Sequence, residues 1–332
     1  MKKSDVVKLI LKEKHYQAPL NSVGKSFAPT NIALCKYWGK RNQEINLPVT
    51  SSLSISLGDK GATAEIKLNS FQDEIKLNGS DVALDSSFSQ RLINYLNLFR
   101  QPDQIFFSIN IVSNIPIAAG LASSACGFAS IILALNALFG WQLLDSELSI
   151  LARLGSGSAS RSIWQGFVEW HAGSLEDGMD SYAQSLSAKW PELCIGLLIF
   201  NNSEKSISSR EAMQRTVATS PLYSAWPDKV AADMIKLKDA ISTHDFKLLG
   251  ETAESNAMTM HATMLSAWPA VCYYMPETIM AMQKIWKLRT QDLEIYFTQD
   301  AGPNLKLLFL KKDITSVLNE FNKLEIIRLF DV

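Results

Sequence analysis

Apolar and small polar residues alternate most cleanly over 47–57, Leu47-Pro48-Val49-Thr50-Ser51-Ser52-Leu53-Ser54-Ile55-Ser56-Leu57, the period-two signature of a strand with one buried face. The same period on both sides of a polar turn, Ala64-Glu65-Ile66-Lys67-Leu68 and Glu74-Ile75-Lys76-Leu77, predicts a β-hairpin over 62–77, and Asn78-Gly79 marks a further turn. Apolar runs at 106–112 and 193–200 read as strands, and Ile131 to Phe139 is long enough for a buried helix. A helical period appears over 87–99, with Phe88, Leu92, Tyr95, Leu96 and Phe99 on one side. It returns at about 210–219, 228–241, 245–265 and 276–289. In the third of these, Phe246, Leu249, Ala253 and Met260 form a stripe that puts Met260 and His261 in a core or an interface. Asp145 is a candidate N-cap for a helix to about Leu154. Residues 294–310 read as strand, turn, strand, and Val6, Ile10 and Leu11 suggest a short amphipathic helix at the N-terminus.

Between these elements lie loops with almost nothing apolar to pack. The run 116–128, Pro-Ile-Ala-Ala-Gly-Leu-Ala-Ser-Ser-Ala-Cys-Gly-Phe, follows one predicted strand and opens the buried helix. Strand, small-residue loop and helix aim backbone N–H groups at an anion, Gly120 permits close approach, and Ser123 and Ser124 offer hydroxyls to phosphate or metal. A membrane span and a close-packed core helix are the other readings of the same window. A second such loop, Gly155-Ser-Gly-Ser-Ala-Ser-Arg161, joins hydroxyls to a forked cation, and Lys205-Ser-Ile-Ser-Ser-Arg210 repeats the combination. A flexible linker is the alternative for 155–161. Lys36, Lys40 and Arg41 surround an aromatic pair and a glycine, either a phosphate grip or a solvated basic turn. Asp300 falls at a strand end before a glycine turn, where a carboxylate either projects into a cleft or closes an Asx-turn.

The 332 residues suffice for one large or two ordinary domains, divided here into an N-terminal extension, 1–23, and lobes at 24–185 and 186–332. A net charge of −1 offers no footprint for nucleic acid. Four scattered cysteines, Cys35, Cys126, Cys194 and Cys272, suggest neither a zinc site nor a disulfide framework and fit a reducing cytoplasm. The N-terminus is too charged for a signal peptide. Serine and glycine loops, local cations, one well-placed carboxylate and no nucleophilic triad together suit ATP-dependent phosphoryl transfer to a small phosphorylated molecule.

Six stretches also carry a specific likeness: Asn31-Ile-Ala with Lys36-Tyr-Trp-Gly-Lys40, Ala119-Gly-Leu-Ala-Ser-Ser124, Gly155-Ser-Gly-Ser-Ala-Ser-Arg161-Ser, Ser208-Ser-Arg210-Glu-Ala-Met213, Met260-His-Ala-Thr263 and Asp300-Ala-Gly-Pro-Asn304. In order along residues 24–310, they resemble the diphosphomevalonate decarboxylases of the GHMP kinase superfamily. The resemblance implies an α+β, two-lobed fold, with an N-terminal lobe like domain 2 of ribosomal protein S5 and a ferredoxin-like C-terminal lobe. It implies ATP as co-substrate, Mg2+, a cytoplasmic homodimer, and conversion of (R)-5-diphosphomevalonate to isopentenyl diphosphate. On that basis Asp300, Lys36 and Ser124 would be catalytic, with Ser124 also at the metal. Tyr37, Lys40, Ser156, Gly157, Ser158, Arg161, Ser209, Arg210 and Met213 would line the substrate pocket. Ser113, Ala119, Gly120, Leu121, Ala122, Ser123 and Ser124 would meet ATP. The approach Val112–Pro116 looks short for the family, and Ile117 stands where threonine is expected. A monophosphate decarboxylase, a 3-kinase and a non-catalytic phosphometabolite binder on the same fold are the alternatives.

Overall fold

The alternation around Ser52 continues into one long strand, and the first lobe is hung on it. The computed structural model describes residues 1–100, 105–115, 123–200, 207–322 and 324–330. In chain order the first lobe contains α1 (Lys3–Leu11), β1 (Val23–Cys35), β2 (Lys40–Asn42), β3 (Leu47–Pro48), β4 (Ser52–Asn69), β5 (Glu74–Leu77), β6 (Ser80–Asp81) and α2 (Ser87–Leu96). It continues with β7 (Phe106–Ser113), α3 (Ser123–Phe139), α4 (Asp145–Gly155), β8 (Phe167–Trp170) and β9 (Ala183–Ser185). The second lobe contains β10 (Leu193–Leu198), α5 (Ser209–Thr219), α6 (Trp226–Thr243), α7 (Phe246–Leu265), α8 (Pro276–Arg289), β11 (Tyr296–Gln299), β12 (Leu305–Leu310), α9 (Ile314–Glu320) and β13 (Glu325–Arg328).

The first sheet runs β6-β5-β7-β4-β8-β9, with β1 antiparallel along β4. It is covered by α3, a largely apolar helix that packs against β1 and β4, as a central helix must. The approach is close: a Cβ on Gly24 would fall on the Ala134 carbonyl oxygen. The second sheet is antiparallel, ordered β11-β12-β10-β13. Helix α7 packs against both β11 and β1 and so ties the lobes together. One apolar cluster runs through both, from Leu34, Cys35 and Trp38 to Trp226, Val230 and Leu249. No described helix is long and apolar enough to cross a membrane.

The hairpin expected over 62–77 does not form. Strand β7 is inserted between β4 and β5, antiparallel to the first and parallel to the second. The cause is a long-range polar contact that a two-residue period does not reveal. Asp73, just ahead of β5, is gripped by both ends of the Arg100 guanidinium at 2.5 Å and accepts the Phe107 N–H at 2.9 Å. Arg100 is itself held by Asn97 Oδ1 and the Ile105 carbonyl. The Asn78-Gly79 turn does form, joining β5 to β6 with both residues at positive φ.

Two smaller expectations shift. Phe88 is exposed, because the buried place in the first turn of α2 goes to Ser89, whose hydroxyl and N–H meet the Ser86 cap. Asp145 is the first helical residue of α4, not its cap. Leu144 occupies the cap, and Glu147 accepts its N–H at 2.9 Å. Both acids still complement the positive end of the helix.

The N-terminal stretch is docked. Val6, Val7, Ile10 and Leu11 are buried, each contributing roughly 1.5–3 kcal/mol of apolar burial. Lys14 Nζ reaches the Trp141 carbonyl at 2.6 Å, and the amides of Leu20 and Asn21 reach the Leu138 carbonyl. Asp73→Ala strands a buried guanidinium and frees the start of β7. Urea melts are expected to show a loss of about 3–5 kcal/mol; a loss under about 1 kcal/mol would show that the ion pair does not hold the inserted strand.

Candidate functional site

The site begins where β1 runs out. The Lys36 amide donates to Asn256 Oδ1 in α7 at 2.8 Å. Its side chain turns back to the Ala33 carbonyl at 2.8 Å and reaches Asp300 Oδ1, also at 2.8 Å. Asp300 follows β11 in a tight turn that closes with the Gly302 N–H on its carbonyl and the Gln299 amide on the Gly302 carbonyl. Both carboxylate oxygens face lysines, the second being 3.2 Å from Lys306 Nζ on β12. The Asx-turn alternative is therefore not what this side chain does.

Both lysine side chains are 2% exposed, whereas that of Asp300 is 25% exposed, so the carboxylate is the open face of a sunken ion triad. Burial alone would raise its pKa. Lys36 and then Lys306 outweigh burial and hold it well below the usual carboxylate range. Burial lowers the Lys36 pKa, against the pull of Asp300. His261 contacts the Asp300 carbonyl at 3.2 Å, and burial, helped by Lys36, pushes it down to about 3. It is neutral at physiological pH and stacks on Tyr274. This agrees with its expected place in the core.

A run of hydroxyls lies on α3 and the turn after α4. Ser124 Oγ is 3.3 Å from Ser156 Oγ, which is 3.4 Å from Ser158 Oγ. The tight turn Gly157–Arg161 lies against Tyr37, and a Cβ on Gly157 would stand 2.7 Å from the Tyr37 hydroxyl. That hydroxyl is buried without a partner, and burial raises its pKa, so it is a ready donor. Arg161 is buried over the Trp170 ring; its Nε and Nη2 share Asn31 Oδ1, and Nη1 meets Ser52 Oγ at 2.7 Å. Burial lowers it to about 10, with Asp300 opposing, and it remains a cation at neutral pH. Asn31 also donates to Ser162 Oγ and the Ser158 carbonyl, fixing the turn to β1.

A second group of charges surrounds the β2–β3 hairpin. Lys40 Nζ donates to Asn46 Oδ1 at 2.6 Å. Helix α5, capped by the Ser208 hydroxyl on the Glu211 N–H, begins with Ser209 and Arg210 and buries Met213. It meets the hairpin through Gln214 and Gln43. Burial first, then Arg210, Lys3 and Arg91, pushes Lys40 down to about 8. Among the described residues none of these four cations is ion-paired.

The structure thus joins Lys36 to Asp300, Ser124 to Ser156 and Ser158, and Tyr37 to Gly157, and it couples Lys40 to Arg210. Ser113 stands apart, its N–H on Asn78 Oδ1 and its hydroxyl on the Gly61 carbonyl. Its neighbours Val112 and Asn114 line a cleft of about 410 Å³ with Phe27, Asp59, Gly61 and Thr63. Ala119, Gly120, Leu121, Ala122 and the Ser123 side chain lie outside the described residues. Sequence reasoning missed Lys306, although a lysine within Leu305-Lys306-Leu307-Leu308-Phe309 is an anomaly in a buried strand. It also missed the holding role of Asn31, although Asn31-Ile-Ala stands in one of the six stretches, and those of Ser52 and Asn256, which leave no pattern in the sequence.

Comparison with known proteins adds to this geometry. Residues 28–183 match the family model described as the diphosphomevalonate decarboxylase-like N-terminal domain, and 195–327 match that of the mevalonate 5-diphosphate decarboxylase C-terminal domain. The chain is 36% identical over 308 residues to diphosphomevalonate decarboxylase mvd1 of Aspergillus fumigatus, covering 86% of this chain and 76% of that one. Mevalonate diphosphate decarboxylase of Staphylococcus aureus superposes with a TM-score of 0.87 at 35% identity, covering 93% of this chain and 96% of that one. A solved structure of MDDEF in complex with MVAPP, AMPPCP and magnesium gives a TM-score of 0.85 at 39% identity, covering 92% and 95%.

Charging Lys40 costs the fold stability below about pH 8, a cost relieved as the pH rises toward the ordinary lysine value of 10.5. An arriving anion relieves it too. Competitive acylation of amines across this range, read by mass spectrometry, is expected to place the Lys40 midpoint near pH 8 and to move it upward in Arg210→Gln. A wild-type midpoint near 10.5 would show that the cations do not act on one another.

Proposed function

The chain belongs to the diphosphomevalonate decarboxylase family, and from that premise we infer how its residues divide the reaction. The protein catalyses ATP-dependent decarboxylation of (R)-5-diphosphomevalonate to isopentenyl diphosphate, with release of ADP, phosphate and CO2. The observation that carries the assignment of roles is the Lys36–Asp300–Lys306 triad, an ionised carboxylate sunk between the lobes with one open face.

In this reading Asp300 accepts a hydrogen bond from the substrate's tertiary 3-hydroxyl and turns its oxygen toward the γ-phosphorus of ATP. The new O–P bond forms as the bridging β–γ bond breaks and ADP departs. A carboxylate held this far below its usual range is a weak base, so it takes the proton late, once the oxygen has begun to bond to phosphorus. The phosphate then leaves C3 with the C–O electron pair. The C1–C2 pair becomes the C2–C3 double bond, and C1 leaves as CO2. Positive charge building at C3 faces the Asp300 carboxylate, which stabilises it more than it stabilises the ground state.

Two poles receive the substrate. Asp300 and Tyr37 both act on the charge of Arg161, which supports assigning it, with Tyr37, Ser156, Gly157 and Ser158, to the carboxylate end. Lys40 and Arg210, with Ser209 and Met213 beside them, are assigned to the diphosphate. The resemblance alone assigns Ala119 to Ser123 to the ATP phosphates and Ser113 to adenine. The half-buried hydroxyls of Ser124, Ser156 and Ser158 are hard oxygen donors of the type magnesium accepts beside phosphate oxygens, and Ser124 would hold it. Bound there, magnesium neutralises charge on the phosphates. None of the four cysteines is in a disulfide, and three are buried, which supports a reducing cytoplasm.

Incubation with ATP and diphosphomevalonate is expected to yield ADP, phosphate, CO2 and isopentenyl diphosphate in equal amounts. ADP without CO2 would make the protein a kinase. Asp300→Asn is expected to lose at least ~10² in turnover while still binding nucleotide; near-native turnover would remove Asp300 from the chemistry.

A further inference from the structure

The N-terminal segment precedes the residues that match the family, which begin at 28, yet it is fixed by four buried side chains and meets the hairpin of Lys40 with one end. That end is the head of α1. The Lys3 N–H is 3.5 Å from Glu44 Oε1, on the hairpin that carries Lys40. The same hairpin meets α5, and hence Arg210, through Gln43. Arg91 of α2 lies over the Phe128 ring, and Phe128 packs on Gly155, at the start of the serine turn.

Lys3 is oddly placed for a merely structural helix. The N-terminal end of a helix carries partial positive charge, so it favours acids and disfavours a cation. Asp5 offsets this by accepting the Lys2 N–H at 2.9 Å, but no carboxylate among the described residues pairs with the Lys3 ammonium. Lys3, Lys40, Arg91 and Arg210 are thus four cations from four elements, none of them ion-paired among the described residues, and α1 and α5 both meet the hairpin that carries Lys40. Burial lowers the Lys3 pKa, with Glu44 opposing and Arg210 and Arg91 adding to the fall.

We propose that the N-terminal helix is part of the diphosphate pocket, with Lys3 supplying a cation to the terminal phosphate of the substrate alongside Lys40, Arg91 and Arg210. The proposal rests on the reading of this site as a diphosphomevalonate pocket. The dianionic phosphate settles a cluster in which four cations outnumber Glu44, and the positive end of α1 adds to the attraction. Arg91 and Arg210 are the more exposed members and Lys3 and Lys40 the less exposed ones. The cluster therefore has a wall as well as a rim.

Lys3→Gln, Lys3→Arg and, as a control on the same helix, Lys8→Gln are compared by steady-state kinetics and by inhibition with inorganic pyrophosphate. Lys3→Gln is expected to raise the KM for diphosphomevalonate and the pyrophosphate inhibition constant by about fivefold, leaving the KM for ATP within about twofold. Lys3→Arg is expected to stay near wild type, and so is Lys8→Gln. A diphosphomevalonate KM within about twofold of wild type in Lys3→Gln, or an equal rise in Lys8→Gln, would overturn the proposal. A wild-type protein that does not turn over diphosphomevalonate would instead sink the reading of the function. Calorimetric binding of pyrophosphate then decides the proposal by itself: weakening in Lys3→Gln upholds it, and unchanged binding overturns it.

Discussion

A carboxylate that burial would neutralise is kept ionised here by two lysines that come from opposite lobes. Lys36 leaves the end of β1 and Lys306 stands in β12, and Asp300 sits between them at 2.8 and 3.2 Å. Taking such ions out of water costs several kcal/mol each, and the cost is met only when geometry and extra hydrogen bonds are good. The Ala33 carbonyl and the Asn256 amide supply those bonds, so the end of β1, helix α7 and the β11–β12 turn must all be in place together. The relative position of the lobes and the state of the reactive acid are thus one constraint.

Charge elsewhere in the site follows from the same economy of ions. Around Asp300 positive charge exceeds negative, with Arg161 a further buried cation held by Asn31 and Ser52. Around Lys40 the cations outnumber the one nearby acid, Glu44, and among the described residues none of them is ion-paired. A protein that stores unpaired cations in part-buried places loses stability to do so, and a doubly charged ligand restores it. The N-terminal helix fits this pattern: apolar residues anchor it, and its charged head works against its own dipole.

Much of this could be read from the chain. The serine turn, Lys36, Lys40, Arg161, Arg210 and Asp300 were legible because polar or flexible residues stood where packing would ask for apolar ones. The helices at 226–289 and the β11–β12 turn were legible from period. Strand order was not, since the pattern of β5 is equally good beside β4 or β7, and the choice is made by Asp73 and Arg100 across many residues of sequence. Lys306 could have been seen as a charge in an apolar strand. Ser52 and Asn256 could not, because small polar residues on a strand or helix look alike whether or not they hold a functional side chain. The N-terminal stretch read only as a short amphipathic helix, and only the folded chain brings its head to the hairpin of Lys40.

The most direct test of this account is a crystal structure of the protein with diphosphomevalonate and a non-hydrolysable ATP analogue. An Asp300 carboxylate oxygen is expected at about 2.6–3.2 Å from the 3-hydroxyl, with Lys36 and Lys306 still bound to the same carboxylate. A 3-hydroxyl that meets another group, with Asp300 turned away or released by its lysines, would contradict it.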